Sequence, residues 1–233
     1  MSYAYYQLPN GRVASVDDGC EFPPLSSAQT DPNGLVAIGG DLSATRLLSA
    51  YKQGIFPWYS KFEPILWWSP DPRMVLFPNE LKISNSLKKT LKKQPFEVRF
   101  NTSFNDVITA CSNTLRLDQN NNPAGTWISP EMIEAYSELN RLGYAICMES
   151  WLNNQLVGGC YGIKIGRMFY GESMFQHVTG ASKVAFVNLV KYLQLQEIGL
   201  IDCQIKTPLL ASFGGREMPR DEFMQQLLKL IQF

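Results

Sequence analysis

Three features in the second half of the chain predict an α+β fold. Residues 144–151 and 155–162 read as two strands joined at Asn153-Asn154, a pair suited to the left-handed backbone of a tight hairpin. A third strand runs from about Arg167 to Glu172, after a turn at Gly166. An apolar helix over roughly 181–197, carrying Val184, Val187, Leu189, Val190 and Leu193, stops at Gly199 and gives way to a strand at 200–205. Antiparallel strands, then a helix, then another strand make an α+β arrangement.

The rest of the chain is punctuated clearly enough to read in order. The first forty residues are rich in Pro, Gly, Asp and Ser, and predict loop with short extended pieces. Ser43 caps a helix carrying Leu47, Leu48 and Tyr51, stopped at Gly54. Between Ile55 and Arg73 the prolines and tryptophans predict a rigid, aromatic-lined loop instead of a regular element. Ser84 or Asn85 opens a short helix to Lys93, residues 97–101 form a strand, and Ser103 opens a helix through Cys111. Segment 117–125 is a polar loop. Ser129-Pro130 starts a helix that ends before Gly143, and a last helix lies near 220–232. No repeat is visible. The expected division is a small N-terminal α/β domain over 1–95 and a larger domain over 96–233.

Composition narrows the function. The 233 residues are 45% hydrophobic and 18% charged, which suffices for a substantial core. No leader pattern marks the first twenty residues, and no apolar run is long enough for a membrane span. The five scattered cysteines (Cys20, Cys111, Cys147, Cys160 and Cys203) form no CxxC pair and fit reduced thiols in a cytoplasmic protein. The single histidine, His177, leaves little room for a zinc centre or a His-based triad, and it is expected in a polar loop. No phosphate-binding or dinucleotide-binding glycine motif is present. With 21 basic and 21 acidic residues, any polyanion must be met by a local patch.

One such patch exists. Lys88, Lys89, Lys92 and Lys93 sit at helical spacing, and Glu97 alone offsets the charge nearby. A solvated helix face is the ordinary reading; contact with phosphates is the functional one. Trp58, Trp67, Trp68, Trp127 and Tyr136 can be core, but Trp58 and Trp68 lie in proline-bounded loops, where aromatics can serve as stacking platforms. Gly158-Gly159 inside a strand pattern signals a bulge or a close approach. The strand 200–205 should place Leu200, Asp202 and Gln204 on one face, with Ile201, Cys203 and Ile205 on the other. A carboxylate and an amide in an apolar run are costly to bury without a partner. With Glu172, which follows a glycine at the end of another apolar stretch, they mark a candidate site for proton handling or for binding a cation.

The chain carries Asn33-Gly34-Leu35 through Gly39-Gly40-Asp41-Leu42, Gly54-Ile55-Phe56-Pro57-Trp58, Leu66-Trp67-Trp68-Ser69-Pro70-Asp71-Pro72-Arg73 and Gly125-Thr126-Trp127-Ile128. Gly171-Glu172-Ser173-Met174-Phe175, Ala181-Ser182-Lys183 and Ile201-Asp202-Cys203-Gln204 follow. In this order, from about residue 30 to 225, these blocks resemble the leucyl/phenylalanyl-tRNA–protein transferase family. The resemblance implies an enzyme that moves Leu or Phe, with Met as a further donor, from aminoacyl-tRNA to the N-terminal Arg or Lys of a protein. The product would be marked for degradation. It implies a GNAT-like fold for 96–233, a cytoplasmic monomer, and no cofactor or metal. By matched position, Asp202 and Gln204 act on the attacking amine and Glu172 is an acid of the same pocket. Trp58, Trp127 and Tyr136 surround the aminoacyl-adenosine end. Cys160, Phe169, Ser173 and Leu189 bind the substrate, and Lys88, Lys89, Lys92 and Lys93 bind tRNA.

An aminoacyl ester is already activated, and an N-terminal amine has a pKa of roughly 8, so the expectation is that Asp202, oriented by Gln204, takes the amine's proton. The chain departs from the family where an Asp-His pair would follow Gln204, having Lys206-Thr207-Pro208-Leu209-Leu210 instead. Cys160 and Leu189 also replace bulkier residues. The competing readings are an acyl-CoA N-acetyltransferase, which would need a glycine-rich pyrophosphate loop, and a non-catalytic tRNA-binding module, which leaves the acids unexplained.

Overall fold

The structure, a computed structural model, describes residues 3–9, 11–17, 21–60, 62–114, 116–117, 123–124 and 126–232. Cys20, Gly125, Phe233 and most of the expected loop at 117–125 lie outside them. The chain begins with β1 (Tyr5–Leu8), β2 (Gly11–Ser15) and β3 (Leu35–Ile38), followed by α1 (Ala44–Lys52), β4 (Phe56–Pro57) and β5 (Leu66–Trp68). These five strands form one mixed sheet in the order β1-β2-β3-β5-β4. The expected irregular loop after Gly54 is therefore partly strand. Phe56 pairs with Trp68 and Pro57 with Trp67. Pro57 is tolerated because β4 lies at the sheet edge, where a missing donor costs little. Ser43 caps α1 as expected, its hydroxyl accepting the Arg46 N–H.

Next come β6 (Arg73–Leu76), α2 (Asn85–Lys93), β7 (Glu97–Phe100) and α3 (Phe104–Ser112), then the short pair β8 (Arg116–Leu117) and β9 (Pro123–Ala124). They are followed by α4 (Pro130–Arg141), β10 (Ala145–Leu152), β11 (Gln155–Ile165), β12 (Met168–Gln176), α5 (Ala181–Leu195) and β13 (Leu200–Gln204). The chain closes with α6 (Pro208–Ser212), β14 (Arg216–Met218) and α7 (Arg220–Ile231). A seven-stranded mixed sheet runs β14-β6-β13-β12-β11-β10-β7, with β12 and β13 parallel and the other pairs antiparallel. The protein is thus a mixed α/β fold of two mixed sheets and surrounding helices. Because β6 belongs to the larger sheet, the two sheets part between Trp68 and Arg73.

The hairpin at Asn153-Asn154 forms as expected, both residues having positive φ (50° and 60°). At Gly158 the close neighbour is protein: an added Cβ would lie 2.5 Å from the Ala181 Cβ. Glycine here lets α5 start directly on the sheet. One face of the large sheet packs on α5, the other on α3, α4, α1 and α7. Cys111, Cys147, Cys160 and Cys203 are buried free thiols. No helix among the described residues is long and apolar enough to cross a membrane.

Candidate active site

A cavity of about 490 Å³ opens where β4 meets the large sheet. Trp58, just after β4, and Trp127, just ahead of α4, stand at it, Cys160, Phe169, Glu172 and Ser173 come from β11 and β12, and α5 supplies Leu189. The strand β13 contributes Ile201, Cys203 and Gln204. Burial pushes the Cys160 and Cys203 thiols well up, so both behave as apolar lining. Trp58 is 43% exposed and packs edge-on to Trp68, whose indole N–H donates to the Trp58 carbonyl at 2.6 Å. Trp67, by contrast, is fully buried core, donating to the Gly39 carbonyl.

The polar chemistry centres on Glu172. Its Oε1 accepts from the Tyr51 hydroxyl at 2.8 Å and from Gln204 Nε2 at 3.1 Å. Oε2 has a 3.3 Å contact with the Tyr136 hydroxyl, and the two tyrosine oxygens lie 2.5 Å apart. Each tyrosine has one proton. The two hydroxyls therefore share two protons among three contacts, one between the tyrosines and one from each tyrosine to the carboxylate. Burial raises the Glu172 pKa to about 7; the Tyr51 bond opposes this, the Asp202 charge adds to it, and the Tyr136 and Gln204 bonds oppose it. Both tyrosines are pushed well above their usual range by burial and by the Glu172 charge, and stay protonated donors. Tyr170 completes the support, donating to the Tyr51 carbonyl at 2.9 Å.

Asp202 lies elsewhere than expected. It is fully buried, Arg73 grips it with Nε on Oδ1 (2.8 Å) and NH2 on Oδ2 (2.7 Å), and it lines no part of the cavity. A proton role for Asp202 does not fit this geometry, since both oxygens hold a guanidinium. The expected shared face of Leu200, Asp202 and Gln204 also fails at its end. Gln204 has φ 62°, and the β13–β6 register slips between Asp202 and Gln204. That turn brings the Gln204 side chain round to the cavity, beside Ile201 and Cys203.

Tyr136 stands behind Glu172, buried and off the cavity wall. Lys88, Lys89, Lys92 and Lys93 are exposed on α2, which packs on α5 through Leu87 and Leu91, and none of them joins a salt bridge among the described residues. Two residues escaped the sequence reading. Tyr51 passed for a helix core position. Arg73 carried a signal that could have been read, an arginine opening the apolar run Met74-Val75-Leu76. Among the described residues no group of three or more His, Cys, Asp or Glu side chains is placed to hold a metal ion.

An apolar cavity with a buried carboxylate on its wall, held by Tyr51 and Gln204, is a candidate enzyme site. The profile of the leucyl/phenylalanyl-tRNA protein transferase family matches residues 75–228, and that of the family's N-terminal domain matches 40–71. A leucyl/phenylalanyl-tRNA–protein transferase of Nitrosospira multiformis is 53% identical over 91% of this chain and 89% of its own. Those of Nitrosomonas europaea (56%, covering 90% and 86%) and Saccharophagus degradans (55%, covering 91% and 85%) are similarly alike. Among solved structures, L-PGS from Bacillus licheniformis has a TM-score of 0.47 at 8% identity, over 98% of this chain and 85% of that one. The chain belongs to the leucyl/phenylalanyl-tRNA–protein transferase family, and it is an aminoacyltransferase.

Proposed function

We propose that the chain transfers Leu or Phe from aminoacyl-tRNA to the N-terminal Arg or Lys of a protein, working as a cytoplasmic monomer. The observation that carries the mechanism is Glu172, a cavity-wall carboxylate held by Tyr51 and Gln204 with a pKa of about 7. In this reading the Leu or Phe side chain enters the apolar cavity between Cys160, Phe169 and Leu189. Trp58 and Trp127 receive the adenosine end, Ser173 lies along the aminoacyl group, and Lys88, Lys89, Lys92 and Lys93 meet the tRNA backbone. The unit built on the large sheet is read as GNAT-like.

Glu172 takes a proton from the incoming α-ammonium, whose pKa of roughly 8 is close to its own. The neutral amine attacks the ester carbonyl, the ester C–O bond breaks, and the second amine proton leaves with the ribose oxygen. No further activation is required, because the ester supplies the driving force. Gln204 holds Glu172 in place, and Asp202 acts from behind by accepting the Gln204 backbone N–H at 2.9 Å. The test is transfer of labelled Leu or Phe from charged tRNA to a peptide beginning with Arg, beside one beginning with Ala. Transfer to the Arg peptide alone supports donor, reaction and acceptor rule together; tight binding of charged tRNA without transfer would refute it.

A further inference from the structure

We propose that Arg73 is a positioning residue for the transfer reaction: through Asp202 it fixes the left-handed turn at Gln204 that delivers the Gln204 amide to Glu172. The inference rests on the reading of Glu172 and Gln204 given above. Arg73 is fully buried, and its guanidinium lies between the rings of Phe56 (4.7 Å) and Phe223 (4.8 Å), from β4 and α7. Its fork meets both Asp202 oxygens, while its NH1 has no hydrogen-bond partner among the described residues. Among those residues the guanidinium's hydrogen bonds go to Asp202.

A buried ion pair is a weak stabiliser compared with apolar residues filling the same volume. What this one does is geometric. Asp202 Oδ1 takes a second bond, from the Gln204 N–H, at the residue where φ turns to 62°. A non-glycine residue is held in that conformation only when its surroundings over-determine it. The same turn carries Gln204 Nε2 to within 3.1 Å of Glu172. Rotation of Asp202 would release the Gln204 N–H and swing the amide away. Only a planar fork fixes that rotation; a lysine at residue 73 would keep the charge and lose the alignment.

The experiment is a double-mutant cycle of Arg73→Lys and Gln204→Leu, with steady-state transfer measured well below each protein's unfolding midpoint. Arg73→Lys should lower kcat roughly 10- to 100-fold, leaving KM for charged tRNA within about threefold. The double variant should be little worse than Gln204→Leu alone, because both changes remove one interaction. If Arg73→Lys keeps wild-type kcat while Gln204→Leu loses it, the positioning role is overturned and the reading of the site stands. If the two losses multiply, Arg73 acts by another route and the inference also fails. If Gln204→Leu is itself fully active, the reading of the site falls and the inference with it. Should Arg73→Lys not fold, the cycle is run with Phe223→Leu, which loosens one ring of the sandwich and keeps the charges paired. A smaller loss, again not compounded in the double variant, is expected; a multiplying loss overturns the inference.

Discussion

Glu172 is protonated more readily in the folded protein than in the unfolded chain, its pKa rising from 4.5 to about 7 on burial. The stability that protonation contributes is fully present below the unfolded value and is lost as pH rises through the folded one. Glu172→Gln has no such loss. Its stability should therefore gain on the wild type between pH 4 and pH 8 by up to about 3 kcal/mol, read from urea unfolding at both pH values. Activity should move the other way. The wild-type rate should climb through about pH 7 as the carboxylate forms, whereas Glu172→Gln should be at least roughly 100-fold slower and flat across that range. Equal pH dependence of stability in the two proteins would show that Glu172 ionises like an ordinary carboxyl. As a residue, Glu172 was legible in the sequence, because an acid after Gly171 interrupts an apolar stretch. Tyr51 was not, because a tyrosine on the inner face of a helix looks the same whether its hydroxyl meets packing or a carboxylate.

Helices that carry their own caps were read almost to the residue. Ser43, Ser84 and Ser129 each accept a backbone N–H three residues on, opening α1, α2 and α4. The start of α3 was also found, but for another reason. Ser103 makes no cap bond with its side chain. The buried carboxylate of Glu149, on β10, accepts instead from the Thr102 and Ser103 N–H groups (2.6 and 2.8 Å), the Thr102 hydroxyl (2.5 Å) and the Trp151 indole (2.8 Å). Burial alone would raise the Glu149 pKa, yet the Thr102, Trp151 and Ser103 bonds lower it. Glu149→Gln replaces one acceptor oxygen with a donor, facing groups that are themselves donors. It should destabilise the protein by about 2–3 kcal/mol at pH 7, measured by urea unfolding, with the gap narrowing as pH falls below the unfolded value of 4.5 and through the lower folded one. The end of β13 was misread for the same reason that α3 was read incompletely: what shapes Gln204 comes from Arg73, 129 residues before its partner Asp202.

At the scale of the molecule, the cavity belongs to neither sheet alone. Phe56, Pro57 and Trp58 come from the smaller sheet's edge and the stretch after it, while its floor is β11, β12, β13 and α5. The α7 helix ties the ends of this arrangement together. The Arg220 N–H meets Asp71, its guanidinium meets the Ser69 carbonyl, and Phe223 stacks on Arg73. Periodicity predicts elements, and it predicted β10 to β13, α5 and α7. It carries no information about which elements meet, and the place of β6 in the larger sheet was not legible from it. The cavity's size makes its own prediction. Cys160→Phe would put a ring into about 490 Å³ of open space. Use of phenylalanyl-tRNA should fall relative to leucyl-tRNA by at least about tenfold in kcat/KM, read from competition between the two donors. An unchanged ratio would place the side-chain pocket elsewhere.

The four buried thiols make the protein a reporter of its own breathing. Cys111 and Cys147 sit under one face of the large sheet, while Cys160 and Cys203 lie on the other, next to the cavity. A charged alkylating reagent, too polar for an apolar cavity, can reach any of them only when the surrounding structure opens. In a Cys20→Ser background, the order in which the four become labelled would rank how often each side of the sheet comes apart, with no probe added to the fold.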